Sequence, residues 1–211
     1  MKVTLFGATG RTGRPLIDEG RKRDMEVTVF ARSSSTFHDP DVRVIRGSLT
    51  DETLLREAIS GSDAVLSALG PTALRHPSDL PITTATEAIL SAMKQENVRR
   101  LIAISTGTAV DPEDGFDSKI RIPALLIKLA MPSAYRDIIG LASSIRASGL
   151  DWTMVRVGFL KDGPAAQRLN IGVYGHTKHS MTVLREDVAK FMFDQIQSRD
   201  FIRQAPGISS L

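Results

Sequence analysis

The sequence predicts an α/β fold, a doubly wound parallel sheet with helices on both faces. Three observations carry that expectation. Short β-branched or apolar runs alternate with longer helical patterns along the 211 residues, the rhythm of a parallel sheet with helical crossovers. Several of the runs lack a polar alternation, as strands buried on both faces do. A glycine-rich loop joins the first run directly to the first helical pattern.

Taken in order, the strands fall at residues 3–6, 26–31, 42–45, 64–69, 101–105 and 152–157, and the helices at 13–23, 51–60, 78–96, 133–148 and about 185–198. Right-handed crossovers between such strands place helices on both faces of the sheet. Asp51 is placed to cap the second helix, with Glu52 in its first turn and Gly61 past its end. Ser148-Gly149 ends the helix before the strand at Trp152 in a similar way. Residues 106–133 carry Asp, Gly and Pro and then an apolar stretch. They form the least regular region and read as a flap over the sheet's C-terminal edge. No repeat, low-complexity tract or linker interrupts the chain, so a single domain over 1–211 is expected.

Composition narrows the partners. Lys and Arg number 27 against 24 Asp and Glu, a formal net charge of +3, and 42% of residues are apolar. That charge is too small to make nucleic acid or an anionic membrane the default partner. There is no cysteine, which excludes disulfides, thiolate metal sites and cysteine nucleophiles. The first strand begins two residues after Met1, leaving no room for a secretory signal. The apolar stretch 120–131 is broken by Arg121, Pro123 and Lys128 and is too short to span a bilayer. A soluble cytoplasmic protein is expected, monomer or homodimer, with a small-molecule substrate and neither nucleic acid nor membrane as partner.

The loop reads Gly7-Ala8-Thr9-Gly10-Arg11-Thr12-Gly13. Glycine suits the tight turn out of the strand, the close approach of a pyrophosphate, and the packing of helix on strand. The following helix N-terminus offers free amides and a positive dipole end to phosphate, and Thr9 and Thr12 can add hydroxyls. A second-strand carboxylate would mark NAD. Here that strand ends in Ala31-Arg32-Ser33-Ser34, with Arg32 19 positions after Gly13. A guanidinium with neighbouring hydroxyls suits the 2′-phosphate of NADP, so NADP is expected over NAD. Arg11 can approach the same phosphate from the loop.

With these residues, the chain resembles the atypical short-chain dehydrogenase/reductases. The resemblance is to their NAD(P)H-binding, NmrA-like group, which includes biliverdin reductase B, a flavin reductase. Further matching segments are Gly61-Ser62-Asp63-Ala64-Val65, then 148–156, reading SGLDWTMVR, and Arg185-Glu186-Asp187-Val188-Ala189. The resemblance implies a Rossmann-like sheet and a small C-terminal substrate portion, about 157–211. It implies that Ser67, Ala68, Leu69 and Gly70 border the cofactor, and that Ser105, Thr106, Val157, Gly158 and Phe159 lie near the nicotinamide. It places Ser48 and Leu49 at the adenine, Ser48 standing where the family usually has aspartate. Phe159 stands where the flavin reductase has histidine.

One departure bears on mechanism. Classical members of the superfamily use Tyr-x-x-x-Lys, but Tyr135 is followed four positions on by Ile139. Tyr174 and Lys178 have the bare spacing, yet they fall after the sixth strand, outside the helix that carries the pair. The acid candidates are therefore Thr106, Ser105 and Tyr135. Flavin or quinone reduction suits such a site better than alcohol–ketone chemistry, because the reduced product can take its proton from solvent. The apolar stretch 120–131 reads either as the wall of a flat acceptor site or as core. The alternative function is an NADP-binding redox-sensing regulator or assembly protein without turnover. The four histidines are scattered and no metal site is expected. Lys178, His179 and Arg185 read as surface charge. No Gly-x-Ser-x-Gly elbow points to a hydrolase.

Overall fold

The computed structural model describes residues 1–71, 75–166 and 168–210. The main sheet is built from β1 (Lys2–Phe6), β2 (Glu26–Arg32), β3 (Arg43–Gly47), β4 (Ala64–Ser67), β5 (Arg100–Thr106) and β6 (Asp151–Val157). To these it adds β8 (Leu169–Gly172) and β10 (Gly207–Ser210). The strand order is β3-β2-β1-β4-β5-β6-β10-β8. Its first six positions have the order of the dinucleotide-binding Rossmann sheet, with the topological switch between β1 and β4. A separate pair joins β7 (Phe159–Lys161) to β9 (Thr182–Leu184) in parallel.

The strand pleat explains the layers. Val3 and Leu5 of β1 point to one face and Phe6 to the other, and each set joins a different core. α1 (Gly13–Lys22) and α6 (Arg185–Asp194) cover the first face, where Leu16, Ile17, Val188 and Met192 pack on Val27 and Val29. α2 (Glu52–Ile59), α3 (Pro81–Gln95) and α5 (Pro132–Ala147) cover the second, through Leu55, Ile89, Met93 and Leu141. Asp51 caps α2 by accepting from the Leu54 amide at 3.1 Å.

The start of α3 has an unusual cap. Leu80 precedes it with φ +54°, and its first amides are satisfied from another helix. The fully buried Asp137 of α5 accepts from the Ile82 and Thr83 amides at 3.0 and 2.7 Å and from the Thr83 hydroxyl at 2.6 Å. His76 Nε2 lies 2.7 Å from the same carboxylate. Burial pushes the Asp137 pKa up, but these hydrogen bonds outweigh it and hold the carboxyl below its ordinary value.

The structure differs from the sequence reading in three places. The flap contains a thirteen-residue helix, α4 (Ser118–Ala130), which is capped by Asp117 and interrupted by Pro123. None of its residues is buried, so the apolar stretch 120–131 is not core. The sheet is not wholly parallel, since β8 runs antiparallel to β10 at its edge. The last helix stops at Asp194, and the residues beyond it lead back into the sheet as β10.

Candidate functional site

Each glycine of the loop meets a different constraint. Gly7 has φ +77°, and a Cβ there would lie 2.7 Å from the Ala68 carbonyl. A Cβ on Gly13 would fall 1.7 Å from the Ala8 oxygen. These two glycines are required by the fold itself, one for the turn and one for the contact of helix with loop. Gly10 is different: its nearest protein atom would be the Gly7 oxygen at 3.3 Å. A Cβ at Gly10 makes one tight contact, relieved by a shift of a few tenths of an ångström, so packing constrains this glycine far less than the other two.

The same loop carries unsatisfied donors. The Gly10 and Gly13 amides bond within the loop at 3.1 and 2.9 Å, whereas those of Thr9, Arg11 and Thr12 have no acceptor among the described residues. Thr12 is the N-cap of α1 but makes no side-chain cap. A helix N-terminus with free amides and a bare glycine cradle is chemically suited to a dinucleotide's pyrophosphate.

Beyond β2 the chain is shaped by other cations. Arg46 donates to the carbonyls of Ser35 and Phe37, and the buried Asp39 is paired with Arg21 and Arg14. Arg32 and Ser33 remain exposed at the strand end, and Arg32 has no carboxylate partner among the described residues. Arg11 does not share that freedom. It is paired with Asp162 at 2.5 Å, and Asp162 also holds Arg185 at 2.6 Å. The Asp162 carboxyl is depressed by the Arg11 hydrogen bond. An approach of Arg11 to the 2′-phosphate competes with this exposed ion pair. The Ser48 hydroxyl sits 2.8 Å from that of Thr50, and Leu49 packs beside the second core.

The ends of β4, β5 and β6 form two neighbouring cavities. The smaller, about 40 Å³, is lined by Leu69, Gly70, Ser105 and Thr106 with Ile82 and Ile138. Ser105 is 5% exposed, and its hydroxyl has no hydrogen-bond partner among the described residues. The larger, about 230 Å³, is lined by Thr106, Val157, Phe159 and Met181 and roofed by Ile120 and Ile127 of α4. Gly158 is confined here, because a Cβ would lie 2.4 Å from the Met181 oxygen. Thr106 belongs to both cavities. Ala68 does not line either; its amide donates to the Phe6 carbonyl at 2.9 Å. Tyr135 also lines neither. It sits in the first turn of α5 with the Lys128 ammonium 5.7 Å from its ring centroid.

Sequence reasoning missed what supports this wall. Arg156 of β6 is fully buried and pairs bidentately with Asp114, at 2.5 and 2.7 Å. Its Nε donates to the Ala205 carbonyl at 2.7 Å, and its guanidinium stacks 4.6 Å from the Tyr174 ring centroid. The Tyr174 hydroxyl donates to the Arg156 carbonyl, and burial raises its pKa. His179 packs edge-on to Tyr174 and is 2% exposed. Burial holds its pKa below the ordinary histidine value. His179 and Arg185 are therefore buried, contrary to their reading as surface charge. The stretch between β8 and β9, which carries Tyr174 and His179, offered no periodicity that would have revealed this network. Among the described residues no group of three His, Asp or Glu could hold a metal ion.

Comparison with known proteins agrees with this geometry. A family model described as NAD(P)H-binding matches residues 7–199. The chain is 25% identical over 183 residues to the uncharacterized protein YwnB of Bacillus subtilis (strain 168), covering 87% of this chain and 82% of that one. It is 26% identical over 199 residues to a 3-diazoavenalumate denitrifying reductase of Streptomyces sp, covering 82% of this chain and 63% of that one. A short-chain dehydrogenase/reductase of Veillonella parvula DSM 2008, solved in complex with NADP, superposes with a TM-score of 0.78 at 22% identity. That superposition covers 99% of this chain and 94% of the other. The chain belongs to this NAD(P)H-binding family and shares the Rossmann-type fold of the solved dehydrogenase/reductase it superposes on.

Proposed function

We propose that this protein is an NADPH-dependent reductase of a small planar acceptor such as a flavin or a quinone. The observation that carries the reading is the position of the 230 Å³ cavity. It begins at Thr106 and Val157, the C-terminal ends of adjacent strands, on the sheet edge that also carries the glycine loop. Ligands of open α/β sheets bind at that edge. Residues 1–156 then serve mainly the cofactor, and about 157–211 supply Phe159 and Met181 to the acceptor side of a single domain.

When bound, NADPH supplies the hydride. The free amides of Thr9, Arg11 and Thr12 hold the pyrophosphate, and Arg32 with Ser33 selects the 2′-phosphate. The unpartnered Ser105 hydroxyl donates to the nicotinamide carboxamide or to the acceptor, and Thr106 offers a second hydroxyl where the cavities meet. Ile120, Ile127 and Phe159 exclude water and hold a flat ring by apolar contact. No side chain of the cavity is a strong acid, so the acceptor's proton comes from solvent. Tyr135, which lines neither cavity, is given no role in this reading.

The test incubates the protein with NADPH and a panel of flavins and quinones and follows the reduced-nicotinamide absorbance. Turnover that falls in Thr106→Val at unchanged NADPH affinity supports the reading. Tight NADPH binding with no turnover across the panel refutes it and favours a redox-sensing role.

A further inference from the structure

The α4 helix is apolar on two opposite sides. Ile120, Pro123, Ala124 and Ile127 face the larger cavity. Ile122, Leu125, Leu126 and Leu129, spaced i, i+3, i+4, i+7, are between 55 and 71% exposed. A helix in a water-soluble fold ordinarily presents a polar outer stripe. Here the outer stripe holds four of the ten exposed large hydrophobics among the described residues, and Phe116 at 80% exposure extends it at the helix start.

Asp117 caps the start of the helix, and from Ser118 onward the charges beside the stripe are of one sign. At 100° per residue, Lys119 flanks it on one side and Arg121 and Lys128 on the other, and all three are exposed. From Ser118 to Arg136 there are four basic residues and no acidic one. The whole chain carries +3, so everything outside this segment sums to −1. The protein's positive charge is thus concentrated beside its largest apolar stripe.

We infer that α4 is a membrane-surface helix that docks this protein on an anionic lipid bilayer. An apolar stripe bordered by snorkelling cations matches the boundary between acyl chains and acidic headgroups. The outer stripe enters the acyl boundary while Arg121, Lys128 and Lys119 reach the headgroups. A second copy is the poorer occupant, because a two-fold interface on this helix brings together two cationic surfaces with no carboxylate between them. This contact is peripheral: among the described residues no helix is long and apolar enough to cross a membrane. The small overall charge concealed it, since +3 spread evenly attracts no membrane and three cations on one helix do.

The test is co-sedimentation of the full chain with phosphatidylcholine vesicles and with vesicles containing about 30% phosphatidylglycerol. Binding to the anionic vesicles alone, weakened by salt, is expected. Each cation contributes about fivefold to the partition coefficient, so Arg121→Gln with Lys128→Gln should lower it roughly 25-fold. Leu125→Glu should abolish binding with unchanged circular dichroism and NADPH affinity, since Leu125 lines no cavity. Binding to neither vesicle, or equal binding to both, overturns the proposal. So does a dimer in light scattering that Leu125→Glu dissociates, which assigns the stripe to a second copy.

Discussion

Gly10 and Gly13 belong to one loop, yet alanine at each should fail in a different way. At Gly13 a Cβ must overcome a 1.7 Å approach to the Ala8 oxygen. Relieving it moves the start of α1 away from the loop, an overpacking cost of about 1–3 kcal/mol. That exceeds the gain of at most about 1 kcal/mol from replacing glycine in a helix. For a chain of this length a loss of 1 kcal/mol lowers Tm by roughly 2–4 °C, so a net loss of up to about 2 kcal/mol should make Gly13→Ala melt up to roughly 8 °C early. At Gly10 the Cβ is 3.3 Å from its nearest neighbour, the Gly7 oxygen. Tm should therefore change by less than about 2 °C, within the range of a substitution that touches little. The methyl instead occupies the space beside the free loop amides. Displacing one charge-assisted hydrogen bond of about 1.5–3 kcal/mol raises the NADPH Kd roughly 10- to 150-fold. Thermal melts without ligand and a fluorescence titration with NADPH measure the two effects separately. Gly10→Ala with a large Tm loss and unchanged affinity would refute the assignment of the loop to the pyrophosphate.

Three further outcomes follow from named contacts. Arg32→Asp should raise the NADP Kd at least tenfold and leave NAD within about threefold, because only the 2′-phosphate faces that guanidinium; equal losses in paired titrations would remove Arg32 from cofactor selection. Arg156→Met leaves Asp114 buried without its cation and should cost about 3–5 kcal/mol in denaturant unfolding, with the double variant Arg156→Met, Asp114→Leu recovering part of it. His179 has a folded pKa below its unfolded value, so the unfolded chain binds the extra proton, and stability should fall as pH drops from about 6.5 toward the folded pKa. His179→Gln should flatten that slope in melts across pH 5 to 7.

Much of the fold was legible because its signals were local. Val3–Phe6 followed by three spaced glycines, and Asp51 before Leu54 and Leu55, announce their elements within a few residues. The glycine loop was legible for the same reason, since it follows β1 directly and opens α1. What stayed hidden depends on distant partners. β8 and β10 are four residues each and gain strand geometry only by pairing with one another and with β6. α4 is apolar around most of its circumference and contains Pro123, so it shows no clear helical period. Arg156 reads as an ordinary strand cation until Asp114, 42 residues away, is brought against it. The acceptor wall, built from α4, β7 and β9, falls in this non-local class.

The position of β10 sets an order of assembly. It lies between β6 and β8, and its approach is fixed by the Arg156 amide on the Pro206 carbonyl at 2.9 Å and by Arg156 Nε on Ala205. The same guanidinium holds Asp114, whose loop leads into α4. During synthesis, β1 to β5 and the glycine loop leave the ribosome before this bracket exists, while the acceptor wall waits for residues 205–210 to arrive. The glycine loop and its strands thus precede the strand that anchors the proposed acceptor wall. A nascent chain stalled before Gly207 should already retain NADPH while lacking a closed acceptor cavity, a sequence of events that limited proteolysis of stalled chains with and without NADPH would resolve.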